Sequence, residues 1–241
     1  MTRPYVLLSC AMSMDGYLDN ATPCKLALSN AADFDRVDGL RAECDAIMVG
    51  ASTVRRDDPR LLVRSQRRRR ERVEAGRTPS PMKVTVTASG DLPSTAAFFT
   101  AGDGVDKIVF CPSACAPAVQ RQVGALARVI PLGPEATVAG VVDGLAELGV
   151  ERLMVEGGGR LLTQFLVADL ADELQLVIAP FFVGETGAPR FVEAGSFPWT
   201  STRRAALADV RPIGDVVLLR YALSERCDRA VSDDAAPPFP T

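Results

Sequence analysis

Short apolar runs separated by stretches with helical spacing dominate the pattern of this chain. Residues 5–9, 46–50, 83–87, 107–111, 152–156 and 174–180 read as strands. Several are continuously apolar instead of alternating, the pattern of strands buried on both faces of a sheet. Helical spacing occupies 30–43, 114–126, 136–148 and 158–168, the first opening on Ser29-Asn30 as a cap with Asp33 and Asp35 in its first turns. Strand-helix repetition of this kind predicts an α/β domain with a largely parallel sheet. After Pro180 the pattern changes. Residues 203–210 and 215–223 read as strands joined by the turn Arg211-Pro212-Ile213-Gly214, an antiparallel finish. A single domain is expected over residues 1–224, followed by a flexible C-terminal tail over 225–241.

Composition narrows the chemistry. The 241 residues include no histidine, which excludes a Ser-His-Asp triad, a Cys-His pair, histidine-ligated zinc and an imidazole base. Carboxylates, hydroxyls, arginines, backbone amides or a borrowed cofactor must do the work. The six cysteines form no C-x-x-C and are expected to be reduced, with no metal site. No apolar run reaches the roughly 18 residues of a membrane span, and the N-terminus lacks a signal-peptide layout; a cytoplasmic protein is expected.

Charge is unevenly distributed. Lysine occurs only at 25, 83 and 107, whereas residues 55–77 hold ten arginines against four acids, a local +6 within a chain of net charge -3. No aromatic residue lies within that stretch to stack a base, so Arg67-Arg68-Arg69-Arg70 reads as a solvated loop and no nucleic-acid partner is expected.

Two strand ends can carry chemistry. The strand 152–156 runs into Gly157-Gly158-Gly159 and then a helix, so backbone amides and a helix N-terminus can cradle a phosphate. The spacing is neither the usual dinucleotide fingerprint nor a P-loop, and a plain tight turn is the alternative. The strand 46–50 continues into Ser52-Thr53, the pair Asp57-Asp58, and arginines at 60 and 64. Its alternative is a turn with neighbouring ion pairs. Two such junctions at the carboxyl ends of parallel strands are where an open α/β sheet binds its ligand. Ser13-Met14-Asp15-Gly16 reads as an ordinary turn, and Thr85 to Gly90 as a weak phosphate candidate.

In order along the chain, Ala11-Met12-Ser13-Met14-Asp15-Gly16, Leu40-Arg41-Ala42, the block from Asp45 through Thr53-Val54 and Asp57-Asp58-Pro59-Arg60-Leu61 to Arg64, then Glu156-Gly157-Gly158-Gly159 and Ile178-Ala179-Pro180 resemble the riboflavin-biosynthesis pyrimidine reductase family. The resemblance covers about residues 4–222. It implies a dihydrofolate-reductase-like three-layer sandwich, mostly parallel with antiparallel C-terminal strands. The implied activity is NADPH-dependent reduction of a phosphoribosylamino-pyrimidine to its ribitylamino form, by hydride transfer to the ribose C1′. Cofactor contacts then fall on Ala11, Thr53, Asp57, Ser89 and the loop Gly157, Gly158, Gly159, Arg160 and Leu161. Substrate contacts fall on Arg41, Leu61, Arg64 and Glu156, with Lys25 as a further phosphate partner. Glu156 and Asp57 are the candidate proton-handling groups. A homodimer is implied too, through the C-terminal strands, where Val216-Val217-Leu218-Leu219 would suit an interface, with plain core packing the alternative for those residues. The competing readings are a dihydrofolate-type reductase of another pterin or pyrimidine, and a nucleotide-binding protein without activity.

Overall fold

The computed structural model describes residues 2–22 and 25–227; the remainder of the expected tail, from 228 onward, lies outside them. Nine strands form one sheet: β1 Tyr5–Ser13, β2 Ala46–Gly50, β3 Met82–Val86, β4 Lys107–Cys111, β5 Arg128–Pro131, β6 Arg152–Val155, β7 Glu173–Ala179, β8 Ala206–Ile213 and β9 Val216–Ala222. Their order is β5-β4-β3-β2-β6-β1-β7-β9-β8. The first seven pair in parallel, and β9 runs antiparallel to both β7 and β8. Seven helices, α1 Ala31–Glu43, α2 Ala51–Asp57, α3 Gln66–Glu74, α4 Ala97–Thr100, α5 Ala116–Val123, α6 Val138–Glu147 and α7 Gly159–Val167, cover it.

The pleat divides the core into layers. Val6, Leu8, Met48, Val84, Phe110, Leu153 and Val155 face α6 and α7, which contribute Val141, Val142, Leu145, Leu162 and Phe165. Ile47, Val49, Val109 and Cys111 face the other way, toward Val54 of α2, Phe98 and Phe99 of α4, and Val119 and Val123 of α5. Leu7 and Met154 meet Val37 and Leu40 of α1 on that same side. This is the expected three-layer sandwich, with burial on both faces of the parallel strands as the unbroken apolar runs implied.

Some local expectations need correction. The arginine run is not a loop: Gln66–Glu74 is helix α3, N-capped by Ser65, whose hydroxyl accepts the Arg68 N–H at 3.4 Å. Arginine, glutamine and glutamate are good helix formers, and Arg67 pairs with Glu71 one turn on at 2.6 Å. Its inner face is arginine, so no apolar stripe announced it. Arg72 is buried and donates to the carbonyls of Thr78, Ala42 and Cys44. The segment after β2 is helix α2, not an open loop. The C-terminal hairpin turns at Gly214-Asp215, two residues later than expected, with Gly214 at φ +63°. Pro212 lies within β8, which it tolerates because that strand is the sheet edge. The chain also stays packed just past 224: Arg226 donates to the Pro4 carbonyl and to Asp172. Among the described residues no helix is long and apolar enough to cross a membrane.

A buried polar network holds the centre of the sheet to α1. Glu173 accepts from Tyr5 Oη at 2.7 Å, Gln175 Nε2 at 2.8 Å and Arg220 Nε at 2.5 Å, and the Gln175 side-chain oxygen Oε1 accepts from Arg36 Nη1 of α1. Burial opposes ionisation of Glu173, but these hydrogen bonds outweigh it and lower its pKa, while burial pushes the Tyr5 hydroxyl well up. A lowered carboxylate pKa contributes stability that is complete above the unfolded value of about 4.3 and is lost as pH falls through the folded one. Glu173→Gln is therefore expected to lose about 3–5 kcal/mol near neutral pH, because Arg220 is left without its counter-charge. The loss should shrink as pH is taken below the unfolded value of about 4.3, because wild type itself then gives up the contribution of the ionised carboxylate; urea denaturation at neutral pH and across a series of lower pH values measures both.

Candidate active site

Both strand ends singled out by the sequence open on the same edge of the sheet. β6 and β2 are neighbours, and Glu156 N–H, just past β6, donates to the Met48 carbonyl at 2.9 Å. Beyond Glu156 the backbone turns through Gly157 at φ +114° and Gly158 at φ +84°, values that side-chain-bearing residues rarely adopt. Gly158 is the N-cap of α7 and provides no side-chain cap. The first amides of that nine-residue helix thus face the cleft unclaimed by a capping side chain, together with the positive end of its dipole.

Two cavities meet here. The first, about 430 Å³, is lined by Ala11, Ser52, Thr53, Arg56, Asp57, Gly157 to Arg160, Pro189 and Glu193 among others. The second, about 200 Å³, is lined by Ser9, Asp33, Phe34, Arg36, Asp38, Arg41 and Arg64 among others. Cys10, Ala11 and Glu156 line both. Burial raises the Cys10 thiol to about 12, so it is a neutral wall, not a nucleophile.

At the junction, Arg41 of α1 grips Glu156 as a fork: Nε to Oε1 at 2.6 Å and Nη2 to Oε2 at 2.5 Å. Its remaining nitrogen donates to the Leu62 carbonyl at 3.2 Å. Burial disfavours the Arg41 charge, but attraction to Glu156 outweighs that and raises its pKa. Arg41 is therefore committed to Glu156, not to an open anion site. Arg36 is likewise committed, to Asp33 at 2.6 Å. Among the described residues Arg64 has no ion pair; its guanidinium lies 5.9 Å from the centre of the Phe34 ring, on the wall of the second cavity.

The other candidates separate. Thr53, Asp57, Gly157, Gly158, Gly159 and Arg160 line the first cavity as a group. Lys25 lies beside it, donating to the Asp57 carbonyl at 2.7 Å. Leu161, expected to touch the cofactor, is instead buried in the core and lines neither cavity. Leu61, at φ +47°, buries its side chain with Val49 and Val54 and lines neither cavity. Ser89 is exposed, accepts the Asp91 N–H at 3.4 Å, and lies outside both.

Residues 4–219 match the family described as RibD C-terminal domain. The chain belongs to the RibD C-terminal domain family. Among curated relatives, the protein named 2,5-diamino-6-ribosylamino-4(3H)-pyrimidinone 5′-phosphate reductase of Archaeoglobus fulgidus is 36% identical, over 94% of this chain and all of its own length. The reductase of the same name from Methanothermobacter thermautotrophicus is 32% identical, over 92% and 99%. A pyrimidine reductase-like protein from Corynebacterium diphtheriae has the same fold at 21% identity, with a TM-score of 0.74 and 91% of each chain covered. A deaminase/reductase from Thermotoga maritima superposes with a TM-score of 0.73 over 91% of this chain and only 56% of its own.

In this member of the RibD C-terminal domain family, sequence reasoning missed the roof of the first cavity. Asp15, in the turn that looked uninformative, accepts from Ser13 Oγ at 2.5 Å and from the amides of Val183 and Gly184 at 3.1 and 2.7 Å. Its partial desolvation is outweighed by these bonds, and its pKa is lowered. Tyr17 bridges to Arg190, whose guanidinium stacks on its ring at 4.5 Å and donates to its hydroxyl. The segment after β7 is thereby brought over α7, placing Pro189 and Glu193 on the cleft. Only an Asp-Gly dipeptide hinted at this in the sequence. Asp33, Arg36 and Asp38 were missed as well, because they look like the solvent face of an amphipathic helix.

The roof and the glycine turn fit so closely that a Cβ at Gly159 would lie 2.1 Å from the Arg190 carbonyl oxygen. Gly159→Ala must push the two apart. It is expected to cost about 1–3 kcal/mol and to weaken binding of a nicotinamide dinucleotide far more than binding of a sugar phosphate. Denaturant unfolding and calorimetric titration with each ligand check the two halves.

Proposed function

We propose that this protein is a pyrimidine reductase of riboflavin biosynthesis. It converts a 6-(phosphoribosylamino)pyrimidinone to the ribitylamino compound with NADPH, and the 2-aminated pyrimidine is its substrate. The observation that carries this reading is the meeting of two cavities at Glu156, one ending on a glycine-helix cradle and the other on an unpaired arginine. The relatives that align over their whole lengths are reductases named for the diaminopyrimidinone phosphate. The cradle fits a dinucleotide: two positive-φ glycines and uncapped helix amides suit a pyrophosphate, with Thr53 Oγ1 close enough to Gly158 that a Cβ there would stand only 3.0 Å from it.

When bound, NADPH supplies the hydride, chemistry that belongs to the cofactor. The chain's own residues bind, orient and move protons. Thr53, Asp57, the loop Gly157 to Gly159 and Arg160 hold the dinucleotide, with Ala11 as the flat floor where both ligands meet. Arg64 takes the substrate phosphate as a charge-assisted fork. Glu156, held by Arg41, accepts hydrogen bonds from the pyrimidine or the sugar hydroxyls and serves the proton transfers that accompany opening of the ribose ring. Asp57 orients the sugar side of the cofactor. Lys25 acts through Asp57, to which it is anchored. A cytoplasmic homodimer is part of the same reading; exposed Leu207 and Val210 on edge strand β8, with Val217 on β9, are the apolar positions a second copy would cover.

Two outcomes are expected from a coupled assay. The diaminopyrimidinone phosphate, in the presence of the protein, should consume NADPH, with dihydrofolate inert and NADH poorer. Glu156→Gln should lower kcat by about two to four orders of magnitude, the usual range for removing a general acid-base group, while dinucleotide affinity is retained. Turnover of dihydrofolate, or turnover of neither the 2-aminated nor the deaminated phosphoribosylamino-pyrimidine, refutes the assignment.

A further inference from the structure

The arginine run of α3 has no part in the chemistry described so far, and one of its members reaches the second cavity through a buried carboxylate. Asp38 of α1 is 4% exposed and lines that cavity. It accepts the backbone N–H of Arg64 at 2.5 Å and that of Ser65 at 3.0 Å. Its second oxygen also accepts Arg68 Nη1 at 3.0 Å. Burial raises the pKa of Asp38, but these three donors outweigh it, and the net shift is downward. Arg68 is itself held as a fork by Asp35, at 2.6 and 2.8 Å.

Three arginines line the second cavity. Arg36 and Arg41 are taken by Asp33 and Glu156. Arg64 is the one without a carboxylate partner, although Asp38 touches its backbone. We infer that Asp38 and Arg68 are positioning residues for Arg64, and that the arginine run exists in part to place and protect the phosphate-binding cation. Two effects combine. Asp38 fixes the chain at Arg64 and at the N-cap of α3, which aims the Arg64 side chain across Phe34 into the cavity. A bare carboxylate there would either capture the Arg64 guanidinium or repel a phosphate dianion; Arg68 cancels that charge and keeps Asp38 on the backbone amides.

This inference rests on the proposed reading of the second cavity, and its test uses a ligand that needs no turnover. Ribose 5-phosphate is titrated calorimetrically into wild type, Asp38→Asn, Arg68→Ala and Arg64→Ala, and kcat and KM for the diaminopyrimidinone phosphate are measured alongside. Hydrogen bonds to charged groups are worth about a factor of ten to a hundred. Asp38→Asn and Arg68→Ala are therefore expected to weaken ribose 5-phosphate and raise KM by roughly tenfold or more, with kcat held within roughly threefold. In an Arg64→Ala background neither change should have a further effect, because the cation they position is gone. Arg68→Lys, which keeps charge but not the fork, should recover part of the affinity. Unchanged KM, a fall in kcat alone, or fully additive losses with Arg64→Ala overturn the inference. Should Asp38→Asn fail to fold, Arg68, which lies outside the cavity, carries the test. Wild type that binds ribose 5-phosphate in an Asp38-dependent way, yet turns over no pyrimidine, supports the inference while removing the proposed reaction.

Discussion

The fork between Arg41 and Glu156 is the interaction on which the site depends. It ties the last turn of α1 to the residue that ends β6, at the seam between the two cavities. A carboxylate there could not remain buried alone, and its partner could not either. Each makes the other affordable, and Arg41 spends its third nitrogen on the Leu62 carbonyl, which carries the constraint onward to the chain leading to Arg64. One ion pair thus sets the position of a helix, a strand end and a loop.

Around that seam the molecule distributes positive character at the two far ends. The first cavity ends on helix amides and Arg160, the second on Arg64. Several cations nearby are matched locally: Arg36 with Asp33, Arg56 with Asp19, Arg68 with Asp35 and Asp38. Lys83 follows the same logic inside the core. It is fully buried in β3 and donates to the carbonyls of Phe98 and Ala101 near the end of α4, burial lowering its pKa to about 8.

Much of this was legible in the sequence. The central strands were, because unbroken apolar runs have few other destinations, and the glycine turn was, because three consecutive glycines between a strand and a helix demand unusual backbone. Glu156, Thr53, Asp57 and Arg64 were placed by resemblance, and they do line the joined cavities. The failures share a cause. α3 buries arginine in place of leucine, and Asp33, Arg36 and Asp38 face a cavity from a helix whose apolar stripe is weak. Periodicity reads hydrophobicity, and it is blind where polar groups do the packing. Edge strand β5 and the seven-residue α2 fell below the length at which a pattern can be counted. Leu61 and Ser89 show the limit of motif transfer: the backbone segment is in place, yet one side chain points into the core and the other lies outside the cleft.

The contact between Gly159 and the Arg190 carbonyl has a mechanical meaning. A backbone-to-backbone approach leaves no room to close further, and the Glu193 N–H, bonded to Thr163 Oγ1 of α7 at 2.8 Å, resists separation, so roof and cradle are held at one spacing. The cleft's headroom is then a fixed gauge, set by main chain on that side and indifferent to most side-chain changes. Any widening needed to admit or discharge a dinucleotide must come from the opposite wall, where Lys25, Arg56 and Asp57 meet in ion pairs at the surface. Such pairs are cheap to open. The chain has put its rigidity on one jaw and its give on the other.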